Sequence, residues 1–538
     1  MSLATATKPE HPVVSSGATG TGLWVCLSCA VVVVIAMTVR PFVYSDQALQ
    51  LKALQQYVGG ESPSLNRVVT ADPSNLTRDV TEWITWWPPS TQLLTWPLVR
   101  AGAPIGIAVQ AVACLALLLG SLGWARWWRL FELPRPLIVA AAILLPWLRY
   151  SSNAAFQYSA EILAFAATPW ALLFALHLGE GPKRRARSGL VGFFAGTLYW
   201  IKYSSLFITA SVMGFLCLEL WPRRRGVLAA AIAGCALPIV ALSAMNRWYG
   251  GAANMFTTWH PLRLSPETMV YAIGNPGLMA ADADSLLQYL LTNPVHGLWR
   301  DRLAVAALGI PAGLTLGWLV LGAERKAERL AAVTLFVTMA MMVVAWIGSS
   351  AVSFESRHVA GAAIASLPAA VAIARRRWAS IGPASRAWIA FCGIAYVCVP
   401  WAMYGPLSVA TKAIRQNGYV TTGTRLYNPI LAASNAQAAI TAIRGNCVLP
   451  AAIWYIPEPL TSIEFAGRMV ITDADFESLE YIAALRFHGD VPVCALMPPK
   501  FEANGKGAAI RNSFVDIGSW SRRVVPGAAY DLWIGTPL

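Results

Sequence analysis

The chain has 538 residues, of which 56% are hydrophobic and only 13% charged. A soluble globular protein usually carries about a quarter charged residues, and repeated apolar runs of about 18 residues or more mark a polytopic membrane protein. The net charge of +14 is divided among short loops and makes no basic soluble face, which excludes nucleic acid as a partner.

Residues 1–21 are polar and rich in Gly, Ser and Thr, a composition that predicts a disordered lead. The apolar run Leu23 to Val39 has no small-residue cleavage site, so it is expected to be a retained anchor. Further spans are predicted near 104–124, 136–150, 158–178, 188–201, 203–221, 227–247, 303–322, 329–348, 358–374 and 386–404, about eleven in all. Basic residues test this register. Arg126, Arg129 and Arg135, then Lys183 to Arg187, Arg223 to Arg225, Arg325 to Arg329, and Arg375 to Arg386 all fall in alternate loops. The positive-inside rule puts those loops in the cytoplasm, with the N-terminus inside and the C-terminus outside.

The long segments 41–103, 248–302 and 405–538 are then external. In the first, residues 46–58, 75–87 and 90–100 are expected to form helices lying on the membrane surface, with Trp83, Trp86 and Trp87 at headgroup level. Pro88-Pro89 breaks the second from the third. From about 405 the composition changes to short β-rich runs (447–454, 469–472, 491–496, 531–535) with helical stretches between them, such as 476–487. This reads as a small extracytoplasmic α/β domain. The expected fold is therefore an all-α polytopic membrane domain over 22–404 followed by an α/β domain over 405–538. Cys447 and Cys494 lie in that tail and can pair if it is extracytoplasmic. The other cysteines sit in apolar segments, where Cys behaves as a small hydrophobe.

Ionisable groups at the external ends of spans are the candidates for chemistry: Asp46, Glu161, Lys202, Arg357 and His358, with Asp79, Glu82 and Arg149 behind them. A charge near lipid is costly and needs a partner or a wet cavity. Acids and bases facing one membrane surface suit an anionic, phosphorylated ligand. Arg and Lys grip phosphate, and a carboxylate takes a proton from a hydroxyl or holds a metal ion. Each residue also has a plainer reading. Asp46 can cap the helix that follows it, Glu161 can complement a helix dipole, and Lys202 can snorkel to the headgroups. Arg357 can pair with Glu355, and His358 can be a satisfied interface histidine.

The order of motifs resembles a known family. Ser45-Asp46-Gln47-Ala48 follows the first span, Trp87-Pro88-Pro89-Ser90 closes the first loop, and Tyr158-Ser159-Ala160-Glu161 opens a later span. Gly192-Phe193-Phe194-Ala195-Gly196 with Ile201-Lys202 comes next, then Ser356-Arg357-His358 with Leu367-Pro368. Over roughly residues 22–375 this is similar to the bacterial GT-C glycosyltransferases, the protein O-mannosyltransferase and aminoarabinose-transferase families. The resemblance implies a transferase of the bacterial inner membrane that takes a sugar from a polyprenyl-phosphate donor. The acceptor would be a glycan, lipid or protein on the external face. Asp46 matches the general base or metal-proximal carboxylate, although Gln47 stands where many members have a second acid. Glu161 matches the second acidic position. Lys202 matches the position that contacts the lipid phosphate, and Arg357 matches the Arg of an Arg-Tyr pair, with His358 in place of Tyr. Trp87 replaces a His. The implied cofactor is a divalent metal ion, with Asp46 and Glu161 as its ligands. The competing reading is a lipid or polysaccharide transporter or flippase that breaks no bond. Such proteins favour charges at mid-membrane and two related halves, whereas here the charges stand at one surface and no repeat is evident.

Overall fold

The computed structural model describes residues 18–38, 42–43, 45–147, 157–178, 183–221, 224–253, 309–347, 358–404, 423–426, 436–447, 451–475, 477–526 and 528–538. Helix covers part of every stretch expected to span. These helices are α1 (Ala18–Thr38), α4 (Ile105–Arg129), α5 (Arg135–Leu144), α6 (Ala160–Leu176), α7 (Arg184–Ile201), α8 (Leu206–Leu220) and α9 (Arg225–Gly250). They continue with α10 (Ile310–Val320), α11 (Lys326–Ile347), α12 (Ala360–Arg377) and α13 (Pro383–Tyr404). Among the described residues, five segments are long and apolar enough to cross a membrane: Gly20–Met37, Ile105–Arg129, Tyr203–Leu220, Arg225–Gly250 and Lys326–Ala345. Three further apolar helices are shorter.

Glycines set how closely α7 and α9 pack. A Cβ at Gly192 would stand 2.0 Å from the Ala231 carbonyl oxygen, and one at Gly234 would stand 2.1 Å from that of Gly189. A Cβ at Gly196 would meet the Cys235 carbonyl oxygen at 2.4 Å. Small residues let membrane helices approach backbone to backbone. The Gly192-x-x-x-Gly196 spacing is therefore a packing device, and it fixes the helix that ends at Lys202.

The basic loops meet at one end of the bundle. Arg325 pairs with Glu132 and Arg329 with Glu219, each at 2.8 Å. Lys326 Nζ donates to the Leu176 carbonyl at 3.0 Å. Arg376 is ion-paired with Glu328. The first long loop and the tail lie at the other end.

That loop differs from expectation in its middle. Helix α2 (Ser45–Val58) and helix α3 (Ser90–Arg100) are present, but the helix expected over 75–87 is absent. Instead β2 (Arg67–Asp72) and β3 (Asn75–Trp83) form an antiparallel hairpin. Thr77, Val80 and Thr81 are β-branched and favour the strand. Asp72 Oδ1 accepts from both the Ser74 N–H and hydroxyl, at 2.8 and 2.7 Å, and closes the turn. Nor does α2 lie on lipid: Ala48, Leu51 and Leu54 are fully buried in the main core of the protein, beside Leu460 and Ile463 of the tail. Helix α3 is inverted. Its buried face is Ser90, Thr91, Gln92 and Thr95, while Leu93, Leu94 and Leu98 face outward, as suits a helix between a polar interior and the membrane surface.

The C-terminal part carries α14 (Ala436–Asn446) and a five-stranded sheet. Its strands are β5 (Ile453–Ile456), β6 (Met469–Ile471), β7 (Val493–Met497), β8 (Ile517–Val524) and β9 (Asp531–Pro537), in the order β6-β5-β7-β9-β8. β6, β5 and β7 run parallel, and β9 and β8 are antiparallel additions. β8 was not expected; Ser519, Ser521, Arg522 and Arg523 hide its period. Short helices, including Pro459–Ser462 and Leu479–Ala484, connect the strands. Cys447 and Cys494 are disulfide-bonded. The hairpin docks on this sheet. Leu76 N–H donates to the His488 carbonyl at 2.7 Å, and Arg468 pairs with Asp79 at 2.7 Å. Ala71 and Leu76 join the core of Ile453, Tyr455 and Phe514.

Candidate active site

Two residues of strand on each side organise the site. β1 (Phe42–Val43) pairs in parallel with β4 (Gln157–Tyr158), with Val43 opposite Tyr158. Paired strands lie about 4.8 Å apart, so α2 and α6 start side by side. Asp46 follows Val43 by three residues, and Glu161 follows Tyr158 by three. Each is the second residue of its helix. The parallel bridge thus sets the beginnings of the two acid-bearing helices against each other. Because α2 opens at Ser45, Asp46 lies within the first turn and not at the cap. Its side chain lies outside the described residues.

Glu161 and Lys202 are brought into direct contact: Lys202 Nζ is ion-paired with Glu161 Oε1. The pair is buried, with side-chain exposures of 3% for the lysine and 9% for the glutamate. Lys202 therefore does not snorkel to the headgroups. It ends α7 in extended backbone, at φ −157° and ψ 135°, before the short turn Tyr203–Ser205. That extended residue turns its side chain out of the helical path and toward the first turn of α6.

Three residues that the sequence did not single out, Gln50, Ser90 and Asn246, lock this corner. Gln50, one turn beyond Asp46 on α2, is buried and donates from Nε2 to the Pro88 carbonyl at 2.6 Å. Ser90 Oγ donates to the Ile201 carbonyl at 3.2 Å, one residue before Lys202. The Pro88-Pro89-Ser90 turn therefore ties α2 to the end of α7. With the Glu161–Lys202 pair and the Val43–Tyr158 register, these contacts close a ring around the start of α2. Asn246, also buried, holds Tyr203, the residue after Lys202. Its Nδ2 donates to the Tyr203 hydroxyl at 2.8 Å, and its Oδ1 accepts from Trp83 Nε1 at 2.9 Å. The Tyr203 hydroxyl donates on to the Thr85 carbonyl at 2.8 Å. Trp83 stacks near Tyr249, with ring centroids 4.9 Å apart, and the Arg67 guanidinium lies 5.1 Å from the Tyr249 ring. Trp83 is thus engaged with protein and is not a free member of an aromatic belt.

His358 is half-buried at the start of α12. The next residue, Val359, packs with Phe207 and Met342, so His358 stands at the same end of the bundle as Lys202. Arg357 and Arg149 lie outside the described residues. Asp79 is committed to Arg468, and Glu82 faces out from β3. Among the described residues, no three His, Cys, Asp or Glu side chains group together as a metal centre. Of the two carboxylate oxygens of Glu161, Oε1 is the one that faces the Lys202 ammonium.

Fold and composition make this a membrane protein with its polar site at one end of the helical bundle. No protein-family model matches the sequence, and no curated protein matches it. Two solved structures are similar: ArnT from Cupriavidus metallidurans bound to undecaprenyl phosphate, and the same protein in the apo state. They are 14% and 15% identical, each with a TM-score of 0.49. The matches cover 96% and 97% of this chain and 98% of the other.

Proposed function

We propose that this chain is an integral-membrane glycosyltransferase of GT-C type in the bacterial inner membrane. It moves a sugar from a polyprenyl-phosphate-linked donor to an acceptor on the extracytoplasmic face. The observation that carries this reading is the buried Glu161–Lys202 pair beside the parallel bridge that leads into Asp46. A carboxylate and a cation distant in sequence are held at one corner, at the end of the bundle opposite the basic loops. The transporter alternative has charges at mid-membrane; here both members of the pair stand at helix ends.

In this reading Lys202 and Arg357 hold the donor phosphate, with His358 beside them. Glu161 is a positioning residue that keeps the Lys202 ammonium charged and aimed. The acceptor hydroxyl gives its proton to Asp46 as its oxygen bonds to the anomeric carbon. The bond from that carbon to the phosphate oxygen breaks, and its electron pair leaves on the polyprenyl phosphate. The cations stabilise the charge that grows on that oxygen. One displacement of this kind inverts the anomeric centre. The test is Asp46→Asn in membranes supplied with polyprenyl-linked sugar donors: transfer of labelled sugar is lost while protein level and thermal midpoint stay at the wild-type value. Near-normal transfer in that variant would remove Asp46 from the reaction.

A further inference from the structure

A polar cavity lies away from this corner, between the last turns of α2, the short segment 423–424, Ile440 and Arg444 of α14, and residues 463–466. Its volume is about 290 Å³, near the small end of ligand sites. The side chains that give it chemistry are Lys52, Gln55, Glu61, Thr424, Arg444 and Glu464. Lys52 is buried to 2% exposure, and its ammonium donates to the Phe465 carbonyl at 2.7 Å and to Gln55 Oε1 at 3.2 Å. Gln55 Nε2 donates to the Ile463 carbonyl at 3.0 Å. Thr424 and Arg444 are both fixed on Glu464, through its carboxylate and its backbone carbonyl respectively. Arg444 also lies over the Phe465 ring at 5.6 Å. Glu61 stands exposed at the rim. These side chains are held in place by the fold, and the cavity is framed by parts of the chain that are far apart in sequence.

Two cations and two carboxylates give the cavity no net charge. A carboxylate ligand could only accept hydrogen bonds, and any anion would face Glu61 and Glu464 as well as the cations. A sugar hydroxyl both donates and accepts, so it suits a wall on which ammonium, guanidinium, amide and carboxylate alternate. Burial pushes the Lys52 ammonium down to about 8, so it remains largely protonated near neutral pH and serves as a donor. Lys52 stands six residues beyond Asp46 on α2, about 9 Å along the helix axis at 1.5 Å per residue, so this cavity is not the reaction centre.

We propose that the cavity is a carbohydrate subsite that holds one sugar residue of the acceptor, away from the reacting hydroxyl. The assignment of that sugar to the acceptor rests on the glycosyltransferase reading; the binding itself does not. The test uses the full-length protein in nanodiscs, with no donor present. It is titrated with glucose, galactose, mannose, rhamnose and N-acetylglucosamine, and with inorganic phosphate as competitor. At least one sugar binds saturably. Its Kd rises tenfold or more in Arg444→Gln and in Glu61→Gln, two exposed positions whose variants are checked for an unchanged thermal midpoint. Binding stays at the wild-type value in Glu161→Gln, and phosphate does not displace the sugar. No saturable binding of any of the five sugars, binding indifferent to both cavity variants, or displacement by phosphate would each overturn the subsite. Any of those results would leave the Asp46 transfer assay untouched. Loss of the transferase reading would in turn leave this binding in place.

Discussion

Two buried carboxylates in this bundle are each paired with a cation, one at either end, and they are built differently. Glu328 is fully buried. It takes both arms of the Arg376 guanidinium and accepts the backbone N–H groups of Glu324 and Arg325 at 3.0 and 3.2 Å. Four donors converge on this one carboxylate, three of them on Oε2. The result is a clamp between the start of α11 and the end of α12. Glu161 instead meets a lysine, a compact point charge with rotatable donors, and the contact runs to one oxygen from a residue set in extended backbone between two helices. Buried ion pairs are common devices. What separates a structural pair from a site is the cation chosen and what surrounds it. Here the residues on either side of Lys202 are tied to Ser90 and Asn246, and the Pro88 turn is tied to α2.

The sharpest way to break that distinction is to remove the cation from each pair. Lys202→Ala should lower transfer per folded molecule by about 10²–10³-fold, the usual cost of losing one donor to a developing oxyanion. Arg376→Met should instead lower stability by about 1–3 kcal/mol, below the cost of breaking a fully buried pair because Arg376 is partly exposed. Its turnover per folded molecule should stay near wild type. Sugar-transfer assays normalised to the folded fraction separate the two, and equal losses would erase the difference.

The next largest effect comes from the packing that delivers Lys202. Gly192→Leu forces side-chain atoms into the Ala231 backbone and should cost at least about 1–3 kcal/mol, read as a fall in thermal midpoint together with loss of transfer. Asn246→Leu keeps the volume but strands the Trp83 indole N–H and leaves the Tyr203 hydroxyl with its bond to the Thr85 carbonyl, at about 1–3 kcal/mol. If Asn246 positions Lys202, donor KM rises more than kcat falls, and Asn246→Asp, which keeps the acceptor for Trp83, recovers part of the loss. A fall in stability with unchanged KM would make Asn246 merely structural.

The smallest effect is a slope. Lys52 has a folded pKa of about 8, depressed from 10.5 chiefly by burial, with Glu61 and Glu464 opposing the shift and Arg444 adding to it. The unfolded chain then binds more protons between those two values, so stability should rise as pH goes from about 8 toward 10.5. Lys52→Met should remove that rise, as followed by chemical unfolding at pH 7.5 and pH 10. An unchanged slope would place the titration elsewhere.

How much of this could be read in advance depended on how local the signal was. The long helices follow from apolar runs, and Glu161 and Lys202 stood out because ionisable groups at the ends of such runs are rare. Their direct contact was not legible, since nothing in either stretch encodes the other. The Val43–Tyr158 bridge is two residues per strand, too short for any periodicity. Gln50, Ser90 and Asn246 look like ordinary surface polar residues until the fold buries them. Residues 75–87 misled because Trp83, Trp86 and Trp87 at their end suggested an interfacial helix, while Thr77, Val80 and Thr81 and the Asp72-Pro73-Ser74 turn favoured a hairpin.

The most direct measurement is binding of undecaprenyl phosphate to the purified full-length protein, followed by native mass spectrometry in the wild type, Lys202→Ala and Arg376→Met. A lipid-phosphate grip at Lys202 predicts saturable binding that weakens at least tenfold in Lys202→Ala and stays unchanged in Arg376→Met. Equal binding by all three proteins would contradict it.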